Sequence, residues 1–595
     1  MSDSRTALCG AGIVILIKEG VIISDLKIKE KPFAFTIAET LMEHPFLLTA
    51  AACFFCITTV SSKISWLGSL IPAAVLCMCG IFAAICISFD APEKSRKSII
   101  YTLSGISAAF SLIFAYMLRV SRRPQMVVLN IGIIIFAAVV IYLFATKKMD
   151  TKRLILLLFI LGFLIRLAYI MAVSIKTKQH DVGSLEKLDG HLGYIGYLVY
   201  NNKLPEGDVR DVYQYYHPPL HHIIAAIWVR FQNAIGIEKD NTWENIQILT
   251  MFYSCCCMIL SYKIFRQLGL KNNGLVIAFA VVAFCPTFYI LSGSINNDIL
   301  SITLMLGAVL NTLYWYKSRS IWRILCIAAC VGFGMMAKLS AWMVAPAIAF
   351  VFLYVLFKNL KEWKKYLAQF AAFMGVCAPL GLWWGVRNYI THRVPITYVM
   401  ELSSESKQYI GDIPLTKRLF DFSLYQFADV GDQFGMYEGT YNEFNPLIAL
   451  FKTSMFDEMF TVHYYPDIAG INKVLFWSAV VLGIVGFVSM IYCLINDKTW
   501  SRMHKIFVGI LYFTILISYY AFCIKFPHVC TQNIRYAVLL IVIGAYFIGR
   551  LAQNLCESES EKTQNLRIAG YTCLLTVVFI YSAISVVVYD VIFMT

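Results

Sequence analysis

Long apolar runs follow one another along this chain, separated by short clusters of basic residues. Each run has about the length a helix needs to cross roughly 30 Å of hydrocarbon, a layer in which every backbone amide must find its partner within the protein. Helices meet that demand with their own backbone, whereas a β-barrel would read as short alternating segments. Hydrophobic residues make up 59% of the chain and charged residues 14%, well under the roughly one quarter charged in a soluble globule. The expected fold class is an all-α polytopic membrane protein.

Fifteen runs read as spans, near 46–62, 66–88, 98–118, 126–146, 153–173, 245–265, 274–293, 299–316, 322–337, 342–357, 366–386, 473–494, 505–524, 536–552 and 567–592. The run 11–17 is broken by Lys18 and Glu19 and reads as interfacial; no small-residue cleavage site follows it, so a cleaved signal peptide is not expected. Short cytoplasmic loops retain Lys and Arg. With a cytoplasmic N-terminus, six basic clusters (around Lys94, Lys147, Lys263, Lys317, Lys358 and Lys498) fall on the inner side, while Arg119, Arg122 and Arg123 fall on the other. Two long polar segments, 174–244 and 387–472, then face outward. The basic cluster 147–153 divides an N-terminal accessory part, 1–146 with about four spans, from a functional part, 147–595.

The formal charge of +14 sits at helix ends, which suits anionic lipid rather than nucleic acid. Nearly all of the eighteen cysteines lie within spans and read as packing residues, with neither a disulfide framework nor a zinc ribbon. Eight of the ten histidines fall in the outward segments, and His180, His191, His217, His221 and His222 cluster in one of them.

Asp181 follows a span closely enough to lie at the membrane boundary, where burial would raise its pKa and make it a usable base; the alternative is a solvated loop aspartate. Downstream, 190–198 carries apolar and aromatic residues at helical spacing and suggests an interfacial helix on which a substrate could rest. Pro218 and Pro219 suit the first turn of a helix running to about Phe231, with His217 at its mouth. His217 and His221 stand four apart, a spacing that could share a divalent metal, although no HExxH accompanies them; the alternatives are helix capping and contact with phosphate or headgroups. Asp298 is either a functional acid or a carboxylate favoured by a helix N-terminus. Lys338 either contacts a lipid phosphate or snorkels. Arg387 and Arg535 are further cations suited to phosphate, because guanidinium donates two parallel hydrogen bonds. In 387–472, Tyr409, Tyr425, Tyr437, Tyr441, Tyr464 and Tyr465 with Asp429, Asp432 and Glu438 read as a lid over an acceptor, or as an aromatic belt.

Taken in order, Asp181 after a span, His217-Pro218-Pro219-Leu220, the short turn Ser294-Ile295-Asn296-Asn297-Asp298, Lys338-Leu339-Ser340, Trp383-Trp384-Gly385-Val386-Arg387-Asn388 and Arg535-Tyr536 resemble the GT-C class of integral-membrane glycosyltransferases. The resemblance covers roughly 153–592 and is to the branch of protein O-mannosyltransferases and lipid A aminoarabinose transferases. It implies a GT-C fold and a polyprenyl-phosphate-linked sugar donor. It also implies inverting transfer to an acceptor hydroxyl of a glycan, lipid or protein on the outer face of a prokaryotic plasma membrane. On that pattern Asp181 matches the base and Asp298 a second acid. His217, Lys338, Arg387 and Arg535 would meet the donor phosphate, and His180, His191, Tyr216 and His221 would contact substrate. Those protein transferases carry an acidic residue directly after the loop aspartate, whereas Val182-Gly183 stand here, which weakens the case for a protein acceptor; Glu186 or Asp189 could supply the second carboxylate.

Two rival classes are a transporter or flippase for a lipid-linked saccharide, and a non-catalytic membrane assembly protein. A transporter should show mid-span charge and broken helices in corresponding halves. Mid-span charge is found chiefly at Arg166, and paired halves are not apparent.

Overall fold

The computed structural model describes residues 43–60, 66–89, 92–177, 179–423, 436–437, 440–441, 443–457, 468–557 and 564–592. The interfacial run 11–17 lies outside them, as do Tyr425, Asp429, Asp432, Glu438, Tyr464 and Tyr465 of the expected lid. Apart from a ladder pairing Met436–Tyr437 with Thr440–Tyr441, the described elements are helices. Eleven described helices are long and apolar enough to cross a membrane, or twelve if the bent pair Asn272–Ala283 and Pro286–Gly293 is one span. The expected fifteen is not reached among the described residues. The run 322–337 forms the helix Ile321–Ala337, which is too short to count as a span.

Burial separates central helices from lipid-facing ones. The most apolar stretch of Lys239–Gln267 is 78% buried and that of Asp298–Ser318 72%, against 11% for Pro124–Ala145, most of whose apolar surface is left for lipid. One hydrophobic core runs from Cys53 in the Pro45–Val60 helix to Tyr589 in Gln564–Ile592. The helix Pro45–Val60 packs on Ile246–Gln267, and Pro124–Ala145 packs on Thr151–Ala172. The helix Asn272–Ala283 meets Leu539–Glu557 backbone to backbone. A Cβ on Gly274 would stand 2.5 Å from the Gly549 oxygen, and one on Gly549 would stand 2.4 Å from the Gly274 oxygen. Small residues permit such an approach where apolar side chains gain nothing by leaving lipid.

Arg166 has a structural use. The span 272–293 bends by 43° at Phe284 and Cys285, because Pro286 supplies no N–H and its ring excludes a continuous helix. Carbonyls freed there need donors inside the membrane. Arg166 donates from Nη1 to the Ala283 oxygen at 3.1 Å and from Nε to Ser254 Oγ at 2.9 Å, while Ser585 Oγ donates to the Phe284 oxygen at 2.8 Å. The mid-span charge thus caps a broken helix rather than lining a passage.

At one end of the bundle, three short helices (Gly190–Asn201, Leu220–Ala234 and Lys239–Glu244) fill the segment 174–244. The helix after the two prolines starts at Leu220, with Pro219 as its N-cap, and ends three residues later than expected. The long helix Trp363–His392 carries on past its expected end at 386, so Arg387 and Asn388 are helical. Replacing Arg166 by Leu should leave the Ala283 carbonyl without its donor and cost about 1–3 kcal/mol. The expected result is a lower unfolding temperature for the detergent-purified chain, and an unchanged one would contradict the capping role.

Candidate functional site

The segment that carries Asp181 is fixed by its own backbone. The Asp181 carbonyl accepts from the His191 amide at 2.9 Å and the Val182 carbonyl from Leu192 at 2.8 Å, so the loop satisfies the open N-terminal amides of Gly190–Asn201. Ser184 and Asp189 pair across the turn, and the Asp189 carboxylate accepts from the Ser184 amide at 2.7 Å. This return is tight enough to need glycine twice: Gly183 and Gly190 have φ of 68° and 69°, and a Cβ would lie 2.0 Å from the Asp189 oxygen or 2.3 Å from the Val182 oxygen. Asp181 itself has φ 57° and Gln214 φ 69°, a left-handed backbone that is uncommon without glycine and tends to gather at functional sites.

Asp181 points into a cavity of about 740 Å³ lined also by His180, His191, Tyr213, Tyr216, His217, Asp298, Lys338, Trp384 and Arg535. Its Oδ2 accepts from Arg535 Nη1 at 3.0 Å and its Oδ1 from the Tyr213 hydroxyl at 2.5 Å. Arg535 Nη1 also lies 3.8 Å from Asp298 Oδ2, and Asp298 pairs with Lys338. Two carboxylates and two cations therefore alternate along one wall, drawn from four places far apart in the chain. Asp298 opens the helix Asp298–Ser318, and Lys338 stands extended at the break between Ile321–Ala337 and Leu339–Val344. The break turns the lysine inward, over the Tyr536 ring at 4.7 Å, where a continuous helix would carry it onward. Asp181 is 26% exposed, whereas Asp298 at 2% and Arg535 at 7% are buried, so the first carboxylate is the accessible one.

The expected rise in the Asp181 pKa is reversed. Burial alone would raise it, but Arg535 and His180 together with the Tyr213 hydroxyl more than offset this and hold the carboxyl well below the usual carboxylate range. Burial pushes His191 and His217 well below the ordinary imidazole value, which favours neutral rings beside the two cations.

The histidines form a ladder of rings. His191 stacks on His217 at 5.4 Å and lies edge to edge and nearly coplanar with His222 at 5.2 Å, and His222 stacks on Tyr194 at 4.2 Å. His191 Nδ1 and His222 Nε2 share a hydrogen bond of 2.9 Å. Two expected contacts are not assembled. His221 bonds the Ile295 carbonyl at 2.8 Å within the core and does not line the cavity. Among the described residues no three His, Cys, Asp or Glu converge as metal ligands. Arg387 donates to the Pro205 carbonyl at 2.6 Å and lies over the Trp384 ring, away from the cavity, because the helix that carries it continues to His392. Glu186 and Asp189 do not line the cavity either.

Sequence reading missed Tyr213, Gln214 and Asp457. Tyr213 lies in Val212-Tyr213-Gln214-Tyr215-Tyr216, where a tyrosine-rich stretch was itself a signal. Asp457 follows an amphipathic-looking stretch with nothing to set it apart. Yet its Oδ2 accepts from His180 Nε2 at 2.7 Å, and His180 and the other partners keep its carboxyl low despite burial.

Replacing Gly190 by Ala should push the Val182 carbonyl aside and loosen the turn that holds Asp181. The expected result is faster limited proteolysis within 181–191 alone, and an unchanged cleavage pattern would contradict this account of the loop.

A comparison of the whole chain with curated proteins finds no match. Residues 216–383, which carry His217, Asp298 and Lys338, match the family model described as dolichyl-phosphate-mannose-protein mannosyltransferase. Over that stretch, under a third of the chain, the protein is similar to GT-C glycosyltransferases.

Proposed function

We propose that this protein transfers a sugar from a polyprenyl-phosphate-linked donor to an acceptor hydroxyl, with inversion, at the outer face of a prokaryotic plasma membrane. The observation that carries the reading is the convergence of Asp181, Asp298, Lys338 and Arg535 in one cavity at the end of a membrane bundle. Asp181 accepts the proton of the acceptor hydroxyl. The hydroxyl oxygen attacks the anomeric carbon from the face opposite the phosphate, the bond from that carbon to the phosphate oxygen breaks, and the electron pair leaves on the phosphate. Arg535 and Lys338 steady the departing charge, the one with parallel N–H donors and the other as a point charge.

The pairing of Arg535 with Asp181 suits a two-stage use of the same guanidinium. In the empty cavity it neutralises the carboxylate at 3.0 Å. A donor phosphate competes for it, and each interaction it takes from Asp181 leaves a stronger base beside the acceptor. Asp298 then keeps Lys338 in place from the buried side. The stacked rings of His191 and His217 form a neutral wall next to the sugar. Arg387 and His221 have no part in this reading.

The flippase alternative has one feature in its favour, the bent span 272–293, but the carbonyls freed at that bend are occupied by Arg166 and Ser585. A role for 1–146 in scaffolding or partner binding stays a proposal, supported by the outward-facing surface of Pro124–Ala145.

Asp181→Asn should fold and still bind undecaprenyl phosphate while losing about 10²–10⁴-fold in transfer rate, the usual worth of a general base. Full activity in that variant would exclude Asp181 as the base. The pH dependence has a definite sign. A base with a depressed pKa works above that pKa and is lost as pH falls through it, so the acid limb of kcat/KM should lie below the ordinary carboxylate range. In Arg535→Gln the limb should move to higher pH, and an unmoved limb would show that this cation does not tune the base.

A further inference from the structure

Asp457 closes the helix Pro446–Phe456 with φ 55° and ψ −158°, a backbone region that is essentially reserved for glycine and strained in other residues. A helix ending there would be easier with glycine, so the aspartate is kept for its side chain. Both carboxylate oxygens are used. Oδ2 accepts from His180 Nε2 at 2.7 Å and Oδ1 from Asn533 Nδ2 at 2.6 Å. His180 is the residue before Asp181. Asn533 caps the turn that presents Arg535, its Oδ1 accepting from the Arg535 amide at 2.9 Å. The same short helix holds that turn a second time, through Thr453 Oγ1, which accepts from the Ile534 amide at 2.9 Å.

We propose that Asp457 is a positioning residue for sugar transfer, a bracket that sets Asp181 and Arg535 at their spacing by gripping His180 beside the one and Asn533, which caps the turn of the other. It touches neither acceptor nor donor. Three segments that share no secondary structure, the loop after Thr151–Ala172, the end of Pro446–Phe456 and the turn before Leu539–Glu557, meet at this one carboxylate. Among the described contacts the base and its cation touch each other directly only through the 3.0 Å pair, which the donor phosphate is expected to loosen. The bracket keeps the two groups in register once that pair opens. The inference rests on the glycosyl-transfer reading of the cavity and adds a residue outside the family match.

The test uses the full chain in nanodiscs, with undecaprenyl phosphate as the binding probe and sugar transfer as the second readout. Asp457→Asn keeps the size of the side chain and removes its charge. It should leave the unfolding temperature nearly unchanged, lower kcat by about 10–100-fold, the scale of a misplacement near 1 Å, and weaken undecaprenyl phosphate binding. In an Arg535→Gln background the same substitution should weaken binding no further, because the group it positions is already gone. Should Asp457→Asn not fold, His180→Gln breaks the same contact from the loop side and carries the same expectations. Parent-like kcat and binding, or binding losses that simply add in the double variant, would overturn the positioning role alone. A parent chain that binds no undecaprenyl phosphate and transfers no sugar would overturn the role together with the reading beneath it.

Discussion

Charge balance in a buried cavity is the constraint on which this architecture turns. Two carboxylates cannot be withdrawn from water at the head of a membrane bundle without compensation, and an isolated charge there would neutralise or drag water in. Asp181 and Asp298 are matched by Arg535 and Lys338, with Arg535 within reach of both acids. This balance accounts for the odd local geometry: the left-handed backbone at Asp181, the break that turns Lys338 inward and the short turn that presents Arg535. Each departs from regular helix because a regular helix would point its charge elsewhere.

The same logic applies in the middle of the bundle. A proline-broken span is tolerated because Arg166 and Ser585 supply the donors that the backbone lost. In the bundle as at the cavity, buried charge is placed where a backbone carbonyl or an opposite charge meets it.

How much of this was legible in the sequence differs by level. Helical spans could be read because length and apolarity are local properties; their number could not, since a run such as 322–337 has the composition of a span but not the length. Asp181, Asp298, Lys338 and Arg535 stood out as polar residues at span ends, and the fold brings those four together. Arg387 looked equivalent, but the helix continued past it and turned its side chain to Pro205, which depends on where a helix stops and not on residue type. His221 likewise had the right neighbours and the wrong face. The Asp181 pKa was misjudged in direction because burial acts locally, whereas the cation that outweighs it arrives from 354 positions away. Asp457 was invisible for a related reason: its importance is a meeting of three segments, and no window of sequence contains all three.

The glycine contact between Asn272–Ala283 and Leu539–Glu557 bears on how the cavity keeps its shape in a fluid solvent. Where helices meet through side chains, rotamers can yield and the helices can slide by fractions of an ångström. Gly274 and Gly549 leave nothing compressible between the two backbones. The turn that carries Arg535 leads directly into the second of these helices. Its height along the bundle axis is thus referenced to a hard stop, and the arginine keeps a fixed datum while the surrounding bilayer thins, thickens and fluctuates.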